Sequence, residues 1–218
     1  MTRIPAMLKF ALPVAIAFVA APMIAQMPAE APGKADVSRV AAGTYAADPK
    51  HSLIGWKVNH FGFSDYFGLF GAVTGTLTLD PANPAAAKVS ATIPVSKIIT
   101  ANPDLTAHLL RAPAAGAKPD FFGPAPADAT FVSTSVVPGA DGMSATITGN
   151  LTLNGVTKPV AIAATFVGAG NNMMSKADTV GFSGRAMIKR SDFGITAFVP
   201  LVSDEVVLDI SMAFEKKS

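Results

Sequence analysis

Three histidines and two serines come nearest to a catalytic or metal-binding pattern in this chain. His51, His60 and His108 fall at a strand start, a strand end and on a short helical stretch. None of their separations matches the close spacing that brings zinc ligands together, so no metal centre is expected. Phe182-Ser183-Gly184, with Gly181 ahead, carries part of a nucleophile elbow. Arg185 stands where the closing glycine belongs, and the context is strand rather than strand-turn-helix. Ser191-Asp192 follows Arg190 and reads as a turn in which Asp192 accepts hydrogen bonds from the backbone or the arginine. An esterase-like hydrolase using Ser183 or Ser191 is the enzymatic alternative, but neither serine comes with an evident base and oxyanion donors. The chain therefore reads as non-catalytic, with no cofactor. His60 shares a strand face with Trp56 and Val58. A buried histidine bonded to a neighbour is the favoured reading; contact with a ligand head group is the other.

The aromatic residues point further. Phe61, Phe63, Tyr66, Phe67 and Phe70 crowd one connection, separated by Gly62, Gly68 and Gly71, while Phe121-Phe122 and Phe193 with Phe198 form two more groups. Exposed apolar surface costs ~25 cal/mol per Å², so protein or ligand must cover these side chains. Core packing at the ends of a barrel is one account; an apolar tunnel with a phenylalanine-lined mouth is another. Docking of the aromatic segment 61–70 on a membrane partner is a third.

The elements that must position these residues are strands. Gly149 to Val160 reads as strand, tight Asn154-Gly155 turn and returning strand, because asparagine and glycine tolerate the positive φ angles of a type I′ hairpin. Alternation recurs downstream of residue 50 and counts to about eight strands. Trp56, Val58 and His60 share a face; so do Val180, Phe182, Gly184, Ala186 and Ile188. An antiparallel sheet of this length must close up or double over to hide its edges. Whether its inward side chains fill a core or line a cavity is left open by the alternation. One segment breaks the pattern: Asn102-Pro103-Asp104 caps a short helix expected from about Pro103 to Arg111, which could cover one barrel end. Scarce Tyr and Trp for interfacial girdles, and the terminal Lys216-Lys217-Ser218, weigh against an outer-membrane barrel.

Composition gives the expected address. Arg3 and Lys9 precede an uncharged apolar run from Phe10 to Ala25, the layout of a secretory signal, with an uncleaved anchor as the alternative. Residues 1–25 are thus expected to be a signal peptide, 26–42 a flexible Pro/Ala-rich leader, and 43–218 the folded domain. Of 17 basic residues, loss of Arg3 and Lys9 leaves 15 against 15 acidic ones. That neutrality removes the argument for nucleic acid. The chain has no cysteine, so no disulfide can form. The periplasm is the expected compartment, without stable membrane insertion of the mature domain; a homodimer is left open.

An ordered series of motifs resembles the YceI-like family. It starts with His51-Ser52, Trp56, Val58 and His60-Phe61-Gly62, and continues through Gly68-Leu69-Phe70, Gly75 to Asp80 and His108-Leu109. Asp120-Phe121-Phe122, Thr130-Phe131, the Gly149 to Pro159 block and Arg190-Ser191-Asp192-Phe193-Gly194 complete it. The resemblance runs from about Tyr45 to Phe214. It implies an all-β fold: an extended eight-stranded antiparallel lipocalin-like barrel with a short helix in one long connection. It also implies an apolar pocket for a polyisoprenoid, isoprenoid quinone or similar long lipid, held for sequestration or transport. Small inward residues, among them Ala91, Ala145, Gly149, Ala164, Gly184 and Ala186, favour a cavity. Expected lining residues are Trp56, Val58, Phe70, Ile147, Leu151, Ile162, Phe182, Phe193 and Ile210. His60 and Asp192 are the candidate head-group or mouth contacts.

Overall fold

The Asn154-Gly155 turn forms as its chemistry demands, with φ of 52° and 76°. It joins two long strands, β8 (Ser144–Leu153) and β9 (Val156–Asn171), in register from Leu153↔Val156 to Ser144↔Thr165. The computed structural model describes residues 30–217, so the expected signal segment lies outside the described residues. Among the described residues the chain opens with five strands: β1 (Gly43–Ala47), β2 (Leu53–His60), β3 (Ser64–Phe70), β4 (Thr74–Leu79) and β5 (Lys88–Ile93). After them come β6 (Ile98–Thr100), helix α1 (Pro103–Leu109) and β7 (Ala129–Pro138). Past the hairpin lie β10 (Asp178–Lys189) and β11 (Glu205–Lys216).

Pairing order shows how eleven segments make an eight-stranded barrel. β1 and β2 lie end to end along β11, pairing with its Phe214–Lys216 and Val207–Ser211 stretches respectively. β3 and β4 continue the next position, pairing with β2 and β1, and β5 and β6 the one after. Three broken strands and β7 to β11 thus form a closed antiparallel barrel. Each break has a local cause. The turn Asp48–His51 loops out between β1 and β2, and Ser52 spans the gap: its hydroxyl donates to Ala213 O and accepts from Ala213 N, both at 3.2 Å. Ala72 takes φ 55° between β3 and β4. Pro94, which has no N–H for the ladder, separates β5 from β6.

β7 pairs with β5 but not with β6, so the outer edge of β6 is free of strands. Helix α1 and the segment after it occupy that end. Asn102 Oδ1 accepts from the N–H groups of Asp104 (2.8 Å) and Leu105 (3.2 Å), the cap expected there. The helix ends at Leu109, two residues earlier than expected, and Leu109 O accepts from Phe122 N at 3.0 Å.

Two expectations fail. The described part of the supposed flexible leader lies on the barrel instead: Lys34 and Ala169 exchange backbone hydrogen bonds of 3.0 and 2.9 Å, and Val40 is buried. The backbone can approach there because β9 carries glycine; a Cβ on Gly170 would stand 2.2 Å from Pro32 O. Nor does Gly149 leave space in the interior. A Cβ there would lie 2.3 Å from the Phe131 ring and 2.6 Å from Val132 O, so the ring of the neighbouring strand already covers it. Gly149→Ala should therefore lower stability by about 2 kcal/mol through overpacking, read as a lower urea midpoint at unchanged slope.

Candidate functional site

Inward side chains of the barrel surround two cavities rather than a solid core. The larger, ≈ 550 Å³, lies at the α1 end; the smaller, ≈ 410 Å³, lies toward the other end. Leu208 borders both. Successive inward residues divide between them along three strands: Trp56 and Ile54 on β2, Leu153 and Leu151 on β8, Ile188 and Ala186 on β10. The cavities therefore lie in series. From Val206 to Phe214 on β11 they cover roughly 20 Å of axis, at ~3.3 Å per residue and a strand tilt of ~40°.

Trp56, Val58 and Phe70 line the larger cavity, and Ile147, Leu151, Ile162, Phe182 and Ile210 the smaller. Phe193 lines neither. It is 1% exposed and packs with Val160, Ile188 and Val206 in the core. The small residues Ala91, Ala145, Ala164, Gly184 and Ala186 do border the smaller cavity. His60 is exposed at the mouth of the larger one, against the Phe61 ring at 4.5 Å, and is not the buried histidine favoured from its strand parity. β2 ends at His60, where the wall gives way to solvent.

Asp192 is exposed and borders neither cavity. The acceptor expected of it is Asp204, whose carboxylate takes hydrogen bonds from Ser191 N (2.8 Å) and Ser191 Oγ (2.7 Å). Arg190 is buried beside them, and its Nε, Nη1 and Nη2 donate to the carbonyls of Ser203, Ile195 and Val202. This arginine ties loop 194–204 to the end of β10 and borders the larger cavity. The Arg190-Ser191-Asp192-Phe193-Gly194 block held the signal for this role; the long-range partners were not legible in it. Ser191 Oγ is thus engaged with a carboxylate, while Ser183 is exposed in mid-strand. Among the described residues neither serine has a histidine as hydrogen-bond partner.

The helix expected to cover one barrel end, α1, forms part of the wall there together with Phe121-Phe122 after it. Leu105, His108 and Leu109 of α1, with Phe121 and Phe122, close the larger cavity where β6 has no strand beside it. His108 Nε2 and Arg111 Nη2 lie 3.0 and 2.8 Å from Asp120 Oδ2. Those hydrogen bonds, that of His108 first, hold the Asp120 carboxyl below the ordinary value. Among the described residues no cluster of His, Asp and Glu is placed to hold a metal.

The YceI-like domain model matches residues 45–214. The chain belongs to the YceI-like family. It is 38% identical over 174 residues to Protein YceI of Escherichia coli O157:H7, covering 78% of this chain and 86% of that protein. A UPF0312 protein of Pseudomonas paraeruginosa is 40% identical over 175 residues, with the same coverages. Among solved structures, Burkholderia cenocepacia BcnA superposes with a TM-score of 0.62 at 25% identity, over 77% of this chain and 98% of that one. A polyisoprenoid binding domain from Saccharophagus degradans superposes at 0.55 with 13% identity, over 79% of this chain and 98% of that one, a likeness of fold.

Burial pushes the Asp204 carboxyl up, but the hydrogen bonds from Ser191 and the charges of Arg190 and Lys189 outweigh it and hold it below 3.8. A carboxyl depressed on folding stabilises the protein above its unfolded pKa, and that contribution disappears as pH falls through the folded value. Asp204→Asn should therefore be less stable than the parent at pH 7, with the difference closing below about pH 4. Urea melts across that range measure it.

Proposed function

We propose that this protein is a non-catalytic carrier that holds one long apolar lipid chain inside the barrel, in the periplasm after export through its amino-terminal segment. The observation that carries the reading is the pair of apolar cavities in series within a closed β-wall. Each has a volume within the ~300–1,000 Å³ common for small-molecule sites. Each buried methylene contributes roughly 0.8 kcal/mol, so a chain that fills both binds tightly with few polar contacts. The family resemblance supplies the class, a polyisoprenoid or similar long lipid, and the name of the Saccharophagus neighbour agrees with it. Mass spectrometry of organic extracts from the native protein identifies the molecule.

Ala186 pairs with Leu208 at the junction of the cavities. Ala186→Leu should narrow that passage. Affinity for a chain long enough to reach the smaller cavity is expected to fall about ten-fold, as roughly two methylenes lose their seat, while a short chain confined to the larger cavity binds as before. Fluorescence titration with chains of graded length measures both; equal losses for short and long chains would sink the serial arrangement.

A second reading concerns loading. Phe61, Phe198 and Leu105, which border the larger cavity, are exposed, and so are their chain neighbours Phe63, Val199 and Leu201, with Phe63 at 91%. The strand end and the loop are joined there, since Phe61 N donates to Leu201 O at 2.7 Å. An apolar rim around an apolar mouth fits a lipid surface, from which a chain can enter without crossing water. Phe63→Ser should slow lipid pickup from vesicles several-fold while leaving affinity for a detergent-dispersed chain unchanged.

A further inference from the structure

Two polar atoms in the interior have no partner. Trp56 Nε1 and Tyr66 Oη are both shut off from solvent and form no hydrogen bond among the described residues. Both side chains line the larger cavity. They stand on neighbouring strands, where Trp56 pairs with Gly68 and Val58 with Tyr66, and their ring centroids are 6.4 Å apart. The absence of a side chain at Gly68 lets the indole lie on β3: a Cβ there would fall 2.1 Å from Trp56 Cζ2. That contact sets the direction of the indole N–H.

An unmet buried donor costs about 1–3 kcal/mol, and native proteins leave few of them. Two on one cavity wall are a sign that something else completes them. The other polar groups of that wall are engaged elsewhere or lie at the rim. All three guanidinium nitrogens of Arg190 donate to backbone carbonyls, Thr100 Oγ1 bonds to Asn102 O, and His108 lies against Asp120. His60 is exposed at the mouth. The indole N–H is donor only, so its partner must accept; the phenol can donate alongside it. An anionic head group would need a free cation; Arg190, the buried cation of that wall, gives three of its five N–H groups to backbone carbonyls and has Asp204 as its counter-charge.

We propose that Trp56 and Tyr66 form a seat for a neutral carbonyl oxygen at the end of the bound chain, so that the polar end lies in the larger cavity and the apolar tail runs past Leu208 into the smaller. This rests on the carrier reading above. Both side chains already border that open volume, and a small swing of Tyr66 about its Cα–Cβ bond turns its hydroxyl, which lies on the ring axis, toward it. Recognition then has two parts: apolar burial, which discriminates weakly among chain lengths, and one oxygen, which separates carbonyl-ended lipids from hydrocarbons.

Binding of three matched isoprenoid probes to the full protein and to Tyr66→Phe tests the proposal: farnesyl acetone (a ketone), methyl farnesoate (an ester) and farnesene (a hydrocarbon). Trp56, the sole tryptophan, reports binding by its fluorescence in both proteins. Tyr66→Phe is expected to weaken at least one carbonyl probe about five-fold and to leave farnesene unchanged. The carbonyl that loses more identifies the class. The ligand-free variant should melt at the same temperature as the parent or higher, because it loses an unpaired hydroxyl. Equal effects on all three probes, or a lower melting temperature of the empty variant, would overturn the seat while leaving the carrier intact. Failure of every probe to bind the parent protein would overturn both.

Discussion

The pairing of a broken first strand with β11 is the constraint on which the interior depends. β1 and β2 occupy one edge of β11 in succession, and every later strand follows from that edge around the barrel. The break leaves no residue of β1 or β2 paired with Ala213, whose carbonyl accepts from Asp48 N at 2.8 Å. Ser52 fills the place, 2% exposed, with its hydroxyl serving both the N–H and the C=O of Ala213. Sheet closure through β1 and β11 removes most of the free edge that would otherwise invite pairing with another chain, leaving that of β6. It also commits each alternate side chain to the inside, where residue size alone decides whether space is filled.

Size is distributed unevenly, which is why two cavities remain. On the smaller cavity, Ala91, Ala145, Ala164 and Ala186 stand among Phe131, Phe166, Phe182 and Phe214. Phe166, Phe182 and Phe214 pack edge to face at 5.7 and 6.4 Å, an aromatic stretch of wall on strands that also carry Ala164 and Ala186. On the larger cavity the wall is partly not sheet. Since β6 has only three residues and no strand beyond it, α1 and Phe121-Phe122 supply the missing side. The same break in the sheet that costs backbone pairing there makes the wider chamber.

What was legible in the sequence follows from how local each signal is. The Asn154-Gly155 turn, the Asn102 cap and the inward parity of β8 to β11 depend on neighbours within a few residues, and all are where the pattern puts them. The strand breaks were not legible, because β1 and β2 are distinguished only by their shared partner β11, some 150 residues away. Gly149 was misread for a related reason. A glycine on an inward face means space only if nothing from the next strand lies over it, and Phe131 does. Asp192 and Asp204 show the same limit: Asp192 was expected to accept from the backbone or from Arg190, yet the 3-10 turn over Arg190–Phe193 leaves it in solvent, and Asp204, from across the loop, accepts from Ser191 instead. Phe193 was assigned by its aromatic character to the cavity, but that turn sends it into the core.

The two chambers differ in chemistry as well as size, and the difference bears on selectivity. Around the smaller, Lys88 is exposed and the Ser144 hydroxyl donates to Asp141 at 2.8 Å, so little is left there to recognise a polar group. The larger carries the indole, phenol, imidazole and guanidinium groups, and its rim includes Phe61 and Phe198 at φ of 55° and 62°. Bulky residues rarely hold the left-handed region, where they cost of order 1–3 kcal/mol unless their surroundings enforce it. The enforcing contacts are present: Phe61 N donates to Leu201 O, Phe198 O accepts from Val202 N, and the Arg190 guanidinium holds the carbonyls of Ile195, Val202 and Ser203. Strain, polar groups and exposed aromatics thus converge on one end of the barrel. If the barrel holds a lipid with an oxygen at its end, the seat proposed at Trp56 and Tyr66 puts that oxygen in the larger cavity, and discrimination falls there rather than along the tail.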